Sequence, residues 1–247
     1  MMSKDRLYDR LENEPGDFVF DERVVRVFPD MINRSVPGYA LVVRMLGLLA
    51  RRYAQDDSVL YDLGCSLGAV ALAMSQAVRA RRVRIVAVDN APAMIARLDA
   101  LLAERVAPDD VPIRTRCDDV LNCAIENASV VALNFTLQFV DPGFRHLLLQ
   151  RIAEGLRPGG VLLLSEKVCF AAAAEQRLQA EWHHDFKRAQ GYSELEIARK
   201  RDALENVMQP DSLPQQRQRL MDTGFGPVFQ WYQGFNFVSL IAFRQGR

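Results

Sequence analysis

The sequence lacks the features that mark metal clusters, membrane spans and nucleic-acid surfaces. Its four cysteines, Cys65, Cys117, Cys123 and Cys169, are scattered, with no Cys-x-x-Cys pair and no histidine at ligand spacing. That pattern argues against a zinc site or a disulfide framework, and it fits reduced thiols in a cytoplasmic protein that binds no metal. No apolar run reaches the roughly 18–20 residues that a membrane span needs. The opening stretch MMSKDRLYDRLENEPGD is too charged for a signal peptide. Neither sign of charge is in excess, since Lys+Arg and Asp+Glu are 31 each. An overall basic footprint for DNA or RNA is therefore absent, and no direct nucleic-acid partner is expected. Internal repeats and low-complexity tracts are also missing. What is present is a 247-residue chain, 49% hydrophobic and 25% charged. Those proportions fit a soluble globular protein, and the length allows one large domain with a substantial core.

From Ser58 onward, short apolar runs alternate with helical patterns. The runs are Val59–Leu63, Val83–Val88, Val111–Arg116, Ala128–Phe135, Gly160–Leu164, Pro227–Tyr232 and Phe237–Phe243. Helical stretches are expected near Gly68–Val78, Pro92–Arg105 and Pro142–Leu156. Almost continuously apolar strands such as SVVALNF and VLLLSE suit a parallel sheet covered on both faces. The last two runs are too close for a crossover helix, so they are expected to form an antiparallel hairpin at one edge. The reading is a single Rossmann-like α/β domain over 1–247, with a mostly parallel seven-stranded sheet. A helical cap is expected over 1–57, broken at Pro37-Gly38. An insertion over 171–212 reads as helical throughout, with a capping box at Ser193-x-x-Glu196.

In an open α/β sheet, ligands bind beyond the carboxyl ends of the strands, where strand order reverses. The stretch VLYDLGCSLGAVAL, Val59 to Leu72, places Gly64, Cys65, Ser66, Leu67 and Gly68 at such an end. A dinucleotide fingerprint wants a glycine where Ser66 stands, because the pyrophosphate lies on the backbone there. This disfavours a nicotinamide cofactor. Asp89-Asn90 close the second run, and Asp89 lies 25 residues after Gly64, a suitable place for a carboxylate that accepts from ribose hydroxyls. Asp118-Asp119 follow the third run, where they could meet an adenine amine. A nucleoside carrying an amino acid instead of phosphates fits this set, and the ligand is read as S-adenosyl-L-methionine. Asp62 makes the opening D-x-G-x-S-x-G, which resembles the Rossmann-type methyltransferases, as does LRPGG at Leu156–Gly160.

A closer resemblance is carried by FDERVVRVFPDMINRSVPGY (Phe20–Tyr39), YDLGCSLGA (Tyr61–Ala69), AIENAS, LNFTLQF (Leu133–Phe139), HHDFKRAQGYSELEI and KRDALENVM. Together these stretches resemble the carboxy-S-adenosyl-L-methionine synthase family over nearly the whole chain. The resemblance implies an enzyme that decarboxylates prephenate and places the carbon dioxide on the methyl carbon of S-adenosylmethionine, leaving phenylpyruvate. It further implies a homodimer whose product serves a downstream tRNA carboxymethyltransferase acting at the wobble uridine. Carried over by position, the ligand site comprises Tyr39, Gly64, Cys65, Ser66, Asp89, Asn90, Asp119, Val120, Asn134 and Arg201. Arg201 is also the residue expected to take part in catalysis, by receiving the added carboxylate. Val120 stands where the family has isoleucine, and Arg199 is a rival to Arg201. On a helix from Ser193, the residues Ile197, Arg201, Leu204 and Met208 form one stripe, so the arginine in it needs a partner. An arginine fork suits a carboxylate, although a stem that snorkels to solvent satisfies the same pattern. His183 and His184 are candidates for acid–base work or for a structural pair. Two rivals stay open on the residues alone: an ordinary methyltransferase acting on a small molecule or tRNA, and a non-catalytic S-adenosylmethionine-binding protein.

Overall fold

The computed structural model describes residues 22–105, 107, 109–205 and 207–246; the side chains of residues 23 and 200–205 are outside that set. Seven strands, β1 (Val59–Leu63), β2 (Arg84–Asp89), β3 (Ile113–Cys117), β4 (Ala128–Asn134), β5 (Leu156–Lys167), β6 (Phe225–Gly234) and β7 (Phe237–Arg244), form one sheet in the order β3-β2-β1-β4-β5-β7-β6. The first five pair in parallel, while β7 runs antiparallel to both β5 and β6. The expected hairpin is therefore present, turned by Phe235 and Asn236 alone.

The period-two alternation of a strand explains why β1 is buried along its whole length. Val59, Tyr61 and Leu63 face one core, while Leu60 faces the other. The first core is closed by Leu148, Leu149 and Ile152 of α5 (Pro142–Gly155) and by Leu220 of α8 (Leu213–Asp222). The second is closed by α2 (Tyr39–Tyr53), α3 (Ala69–Ala77) and α4 (Pro92–Arg105), through Leu46, Met74 and Leu98 among others. Each fully buried side chain of this kind contributes about 1.5–3 kcal/mol. Strand order reverses between β1 and β4, so the crevice at their carboxyl ends is where this topology places a ligand.

The amino-terminal segment enters as α1 (Glu22–Ser35), whose Val24, Phe28 and Met31 pack on Ala91 and Met94 beside α4. It breaks at Val36–Gly38, as the Pro37-Gly38 pair predicts, with Gly38 in the left-handed region. The stretch 171–212 is not helical throughout. It divides into α6 (Ala173–Ala189) and α7 (Glu194–Glu205), separated at Gly191, whose φ is 83°. The capping box at the start of α7 is present: Ser193 N donates to Glu196 Oε2 at 2.7 Å, and Glu196 N donates to Ser193 Oγ at 3.3 Å. Since α7 ends at Glu205, Met208 leaves the helical stripe expected of it. Helix α8 was not anticipated, although Ser212 and Gln215 form a complete capping box with Pro214 in the first turn.

Candidate active site

A single turn organises the reversal point. After β1, the N–H groups of Gly64 and Cys65 both donate to Val88 O, at 2.8 and 2.9 Å. Gly64 has φ 75°, and a Cβ there would sit 2.3 Å from Thr136 Cγ2. Ser66 is itself left-handed, with φ 48°, a conformation that costs a non-glycine residue of order 1–3 kcal/mol unless its surroundings hold it. Asp89 supplies that hold. Its Oδ2 accepts from Ser66 N at 2.9 Å, and its Oδ1 accepts from Ala91 N at 3.0 Å. A carboxylate offers about four lone-pair sites, so acceptor capacity remains on both oxygens. Burial raises the Asp89 carboxyl above its ordinary range, against the opposing pull of these two N–H groups.

Nine of the ten expected site residues, Tyr39, Gly64, Cys65, Ser66, Asp89, Asn90, Asp119, Val120 and Asn134, line one cavity of about 480 Å³, together with Asp62. The tenth, Arg201, sits on the α7 backbone, and its side chain lies outside the described residues. Asn134, at the end of β4, has a buried Oδ1 with no hydrogen-bond partner. Such an orphan is costly unless a ligand group meets it. Asp119 Oδ1 accepts from Leu121 N at 2.8 Å. Its neighbour Asp118 is absent from the cavity wall and instead pairs with Arg116 Nη2 at 2.5 Å. The expectation that both aspartates meet the ligand is therefore corrected. Asp62 accepts from Ala71 N at 2.9 Å, and burial pushes its carboxyl up to about 7. Burial and the Asp62 charge raise the Tyr39 phenol, and burial raises the Cys65 thiol, so neither ionises at neutral pH.

The other end of the cavity differs in sign. Lys167, His183 and Lys187 line it, beside an apolar wall of Val36, Phe135 and Phe237. His183 Nε2 lies 2.8 Å from Ser35 O; a carbonyl only accepts, so this nitrogen carries the proton. Burial, followed by the Lys187 charge, lowers the imidazole pKa to about 3. A ring this weakly basic is neutral at pH 7 and poorly suited as a general base. His183 instead ties α6 to α1, while His184 is not part of the lining. Below the cavity, Leu137 N and Gln138 N donate to the two oxygens of buried Glu166, at 3.0 and 2.8 Å. Arg145, 1% exposed, holds the same floor by donating to Val140 O and Gln138 O.

The residues missed in the sequence are Lys167, Lys187 and Gln138. Lys167 had a usable signal, for it directly follows the apolar run VLLLSE at a strand's carboxyl end. Lys187 had none, because only the docking of α6 brings it to the cavity.

A family model described as Methyltransferase domain matches residues 60–160. Over 228 residues, 92% of this chain and 93% of the relative, the sequence is 55% identical to carboxy-S-adenosyl-L-methionine synthase of Geobacter sp. (strain M21). The chain belongs to the carboxy-S-adenosyl-L-methionine synthase family. A Vibrio cholerae serotype O1 carboxy-S-adenosyl-L-methionine synthase is 49% identical over 244 residues, 99% of this chain and 98% of the relative. Among solved structures, an O-methyltransferase family protein from Burkholderia thailandensis matches with a TM-score of 0.67. It is 17% identical and covers 91% of this chain and 60% of its own. At that identity the likeness speaks to fold alone, so this synthase family is built on the Rossmann-like sheet of methyltransferases. Among the described residues, no group of histidine, cysteine and carboxylate side chains is arranged to hold a metal ion, and no helix is long and apolar enough to cross a membrane.

Proposed function

We propose that this enzyme converts S-adenosyl-L-methionine and prephenate into carboxy-S-adenosyl-L-methionine and phenylpyruvate. The observation that carries the reading is how charge is laid along the cavity: Asp62, Asp89 and Asp119 stand on or just after β1, β2 and β3, while Lys167 ends β5 and Lys187 lies on α6. The aspartates suit a nucleoside and a sulfonium, and the lysines suit a carboxylate. The volume lies in the range of small-molecule sites. The residues present fit S-adenosylmethionine: Asp89 retains free lone pairs for ribose hydroxyls, and the orphaned Asn134 Oδ1 calls for a donor such as the ligand's ammonium.

The sulfonium makes the methyl protons acidic, and prephenate gains an aromatic ring by losing its ring carboxylate and ring hydroxyl. The atoms balance without an added oxidant or reductant. Carbon dioxide breaks from the ring and forms a bond to the methyl carbon, and the departing hydroxyl leaves with one methyl proton as water. The protein contributes proximity in a closed site and electrostatic support for the new carboxylate. Arg201 is assigned to that carboxylate. The product is then the donor for a downstream carboxymethyltransferase of wobble uridine in tRNA, in the cytoplasm, and the working form is a homodimer.

The test is to denature freshly purified protein, weigh the released nucleoside, and then incubate new protein with S-adenosylmethionine and prephenate. A nucleoside carrying one extra carboxyl group, formed in step with phenylpyruvate, supports the reading. Demethylated nucleoside instead would favour a methyltransferase and overturn it.

A further inference from the structure

The chain uses arginine for nearly all its positive charge, with 27 arginines against only four lysines: Lys4, Lys167, Lys187 and Lys200. Two of those four line the same cavity. Lysine differs from arginine in offering a compact point charge with three rotatable donors. Its concentration at one end of this cavity is therefore a chemical choice that the rest of the chain does not make.

Both lysines are also withdrawn from the solvated surface. Lys187 is 8% exposed. Burial alone lowers the Lys167 ammonium, which has no hydrogen bond or ion pair from its side chain among the described residues. The adjacent Glu166 makes no ion pair with it among the described residues: its oxygens accept from the N–H groups of Leu137 and Gln138, and burial pushes its carboxyl up to about 8, so it carries little charge at neutral pH. The charges of both lysines act on the His183 ring that sits with them in the wall. For Lys167, a buried ammonium without a counter-charge is expensive, and an anionic ligand removes that cost.

Position agrees with this. Along the carboxyl edge of the sheet, the order β2-β1-β4-β5 runs from Asp89 through Gly64 and Asn134 to Lys167. Three strand spacings separate Asp89 from Lys167, about 14 Å. A nucleoside anchored at Asp89 thus extends its amino acid end towards the lysines. The wall of Phe135 and Phe237, two rings at 80° with centroids 5.8 Å apart, offers apolar surface beside them.

We propose that Lys167 and Lys187 form the anion subsite for the second substrate, a small cyclic dicarboxylate, and position it against the methyl end of the nucleoside. This rests on the reading above for its chemistry. The ammonium groups take the side-chain carboxylate that survives in phenylpyruvate and hold the ring carboxylate until it leaves as carbon dioxide, the aromatic wall receives the ring, and neutral His183 adds no charge of its own.

The experiment compares wild type with Lys167→Met and Lys187→Met, using prephenate as the probe. The charge-keeping Lys167→Arg and Lys187→Arg and the exposed control Arg177→Met complete the set. Each apolar variant should raise the KM for prephenate by about 10- to 100-fold, the scale of one charge-assisted contact. The Kd for S-adenosylmethionine should stay unchanged, the Tm of Lys167→Met should not fall, and the arginine variants, which keep the charge, should recover part of the KM. If wild type makes carboxylated nucleoside while the variants keep its KM, the subsite is wrong and the proposed reaction stands. If wild type makes none, the reaction fails and calorimetric titration of prephenate into the S-adenosylmethionine complex decides the subsite. Binding that is lost in the methionine variants upholds it; binding absent from wild type, or equal in all, overturns it.

Discussion

Asp89→Asn separates the two roles that the structure gives this carboxylate. In the wild type, Oδ2 accepts from Ser66 N at 2.9 Å and Oδ1 from Ala91 N at 3.0 Å. The amide retains one acceptor oxygen and turns an NH2 towards the other N–H. One charge-assisted hydrogen bond is lost, and a backbone donor faces another donor, so the expected loss of stability is about 1.5–3 kcal/mol. The left-handed Ser66 loses its tether at the same time, which loosens the turn under the ligand. Ribose hydroxyls then meet a neutral amide with less acceptor capacity, and the Kd for S-adenosylmethionine should rise about 10- to 100-fold. Titration calorimetry with plain and carboxylated nucleoside measures the binding, and urea denaturation measures the stability. Both ligands should weaken alike, because the ribose is common to them. An unchanged Kd in a protein destabilised as expected would refute the reasoning and leave Asp89 as a turn residue only.

Three other predictions follow from neighbouring features. Arg145→Met removes a buried guanidinium that donates to Val140 O, Gln138 O, Gln209 O and Asp211 Oδ2. Asp211 keeps Arg219 as a partner, so the cost comes from the carbonyls of Val140 and Gln209 that lose their donor, about 1–3 kcal/mol each by denaturant unfolding; a loss under about 1 kcal/mol in all would mean the network is not needed for the floor. Asp62 binds its proton more tightly in the folded protein, at about 7 against an ordinary 3.8. Its contribution to stability is therefore present below pH 3.8 and lost as pH rises towards 7, by at most about 1.4 kcal/mol per pH unit. Relative to wild type, Asp62→Asn should gain stability across that window, and parallel pH profiles would contradict the assignment. Arg201→Ala should weaken carboxylated nucleoside by about 2–5 kcal/mol and plain S-adenosylmethionine far less; equal losses in calorimetry would remove Arg201 from the carboxylate.

The sheet was legible because its strands are buried on both faces and read as unbroken apolar runs. Each of the seven expected runs coincides with a strand, displaced by a few residues at most. The turn after β1 was legible for the same reason, since a strand end followed by Gly64 and Gly68 admits few conformations. The reason for Gly64 was not legible, because Thr136, which fills the space of its missing Cβ, comes from a distant segment. Asp118 could have been separated from Asp119 by the period of two, as it shares a face with Arg116 and pairs with it. The break at Gly191 and the start of α8 also carried local signals, respectively a glycine in the left-handed region and a Ser-x-x-Gln box. The cationic end of the cavity had a weaker trace. Lys167 follows a strand, but Lys187 reaches the site only because His183 and its helix dock on Ser35.

The most direct test of the proposed reaction is to follow the carbon itself. Prephenate carrying a heavy-carbon label in its ring carboxylate is incubated with the enzyme and unlabelled S-adenosylmethionine, and the nucleoside is analysed by mass spectrometry. The account predicts that the label appears in the nucleoside, one label per phenylpyruvate formed. A nucleoside without the label, while phenylpyruvate accumulates or the methyl group is lost, would contradict it.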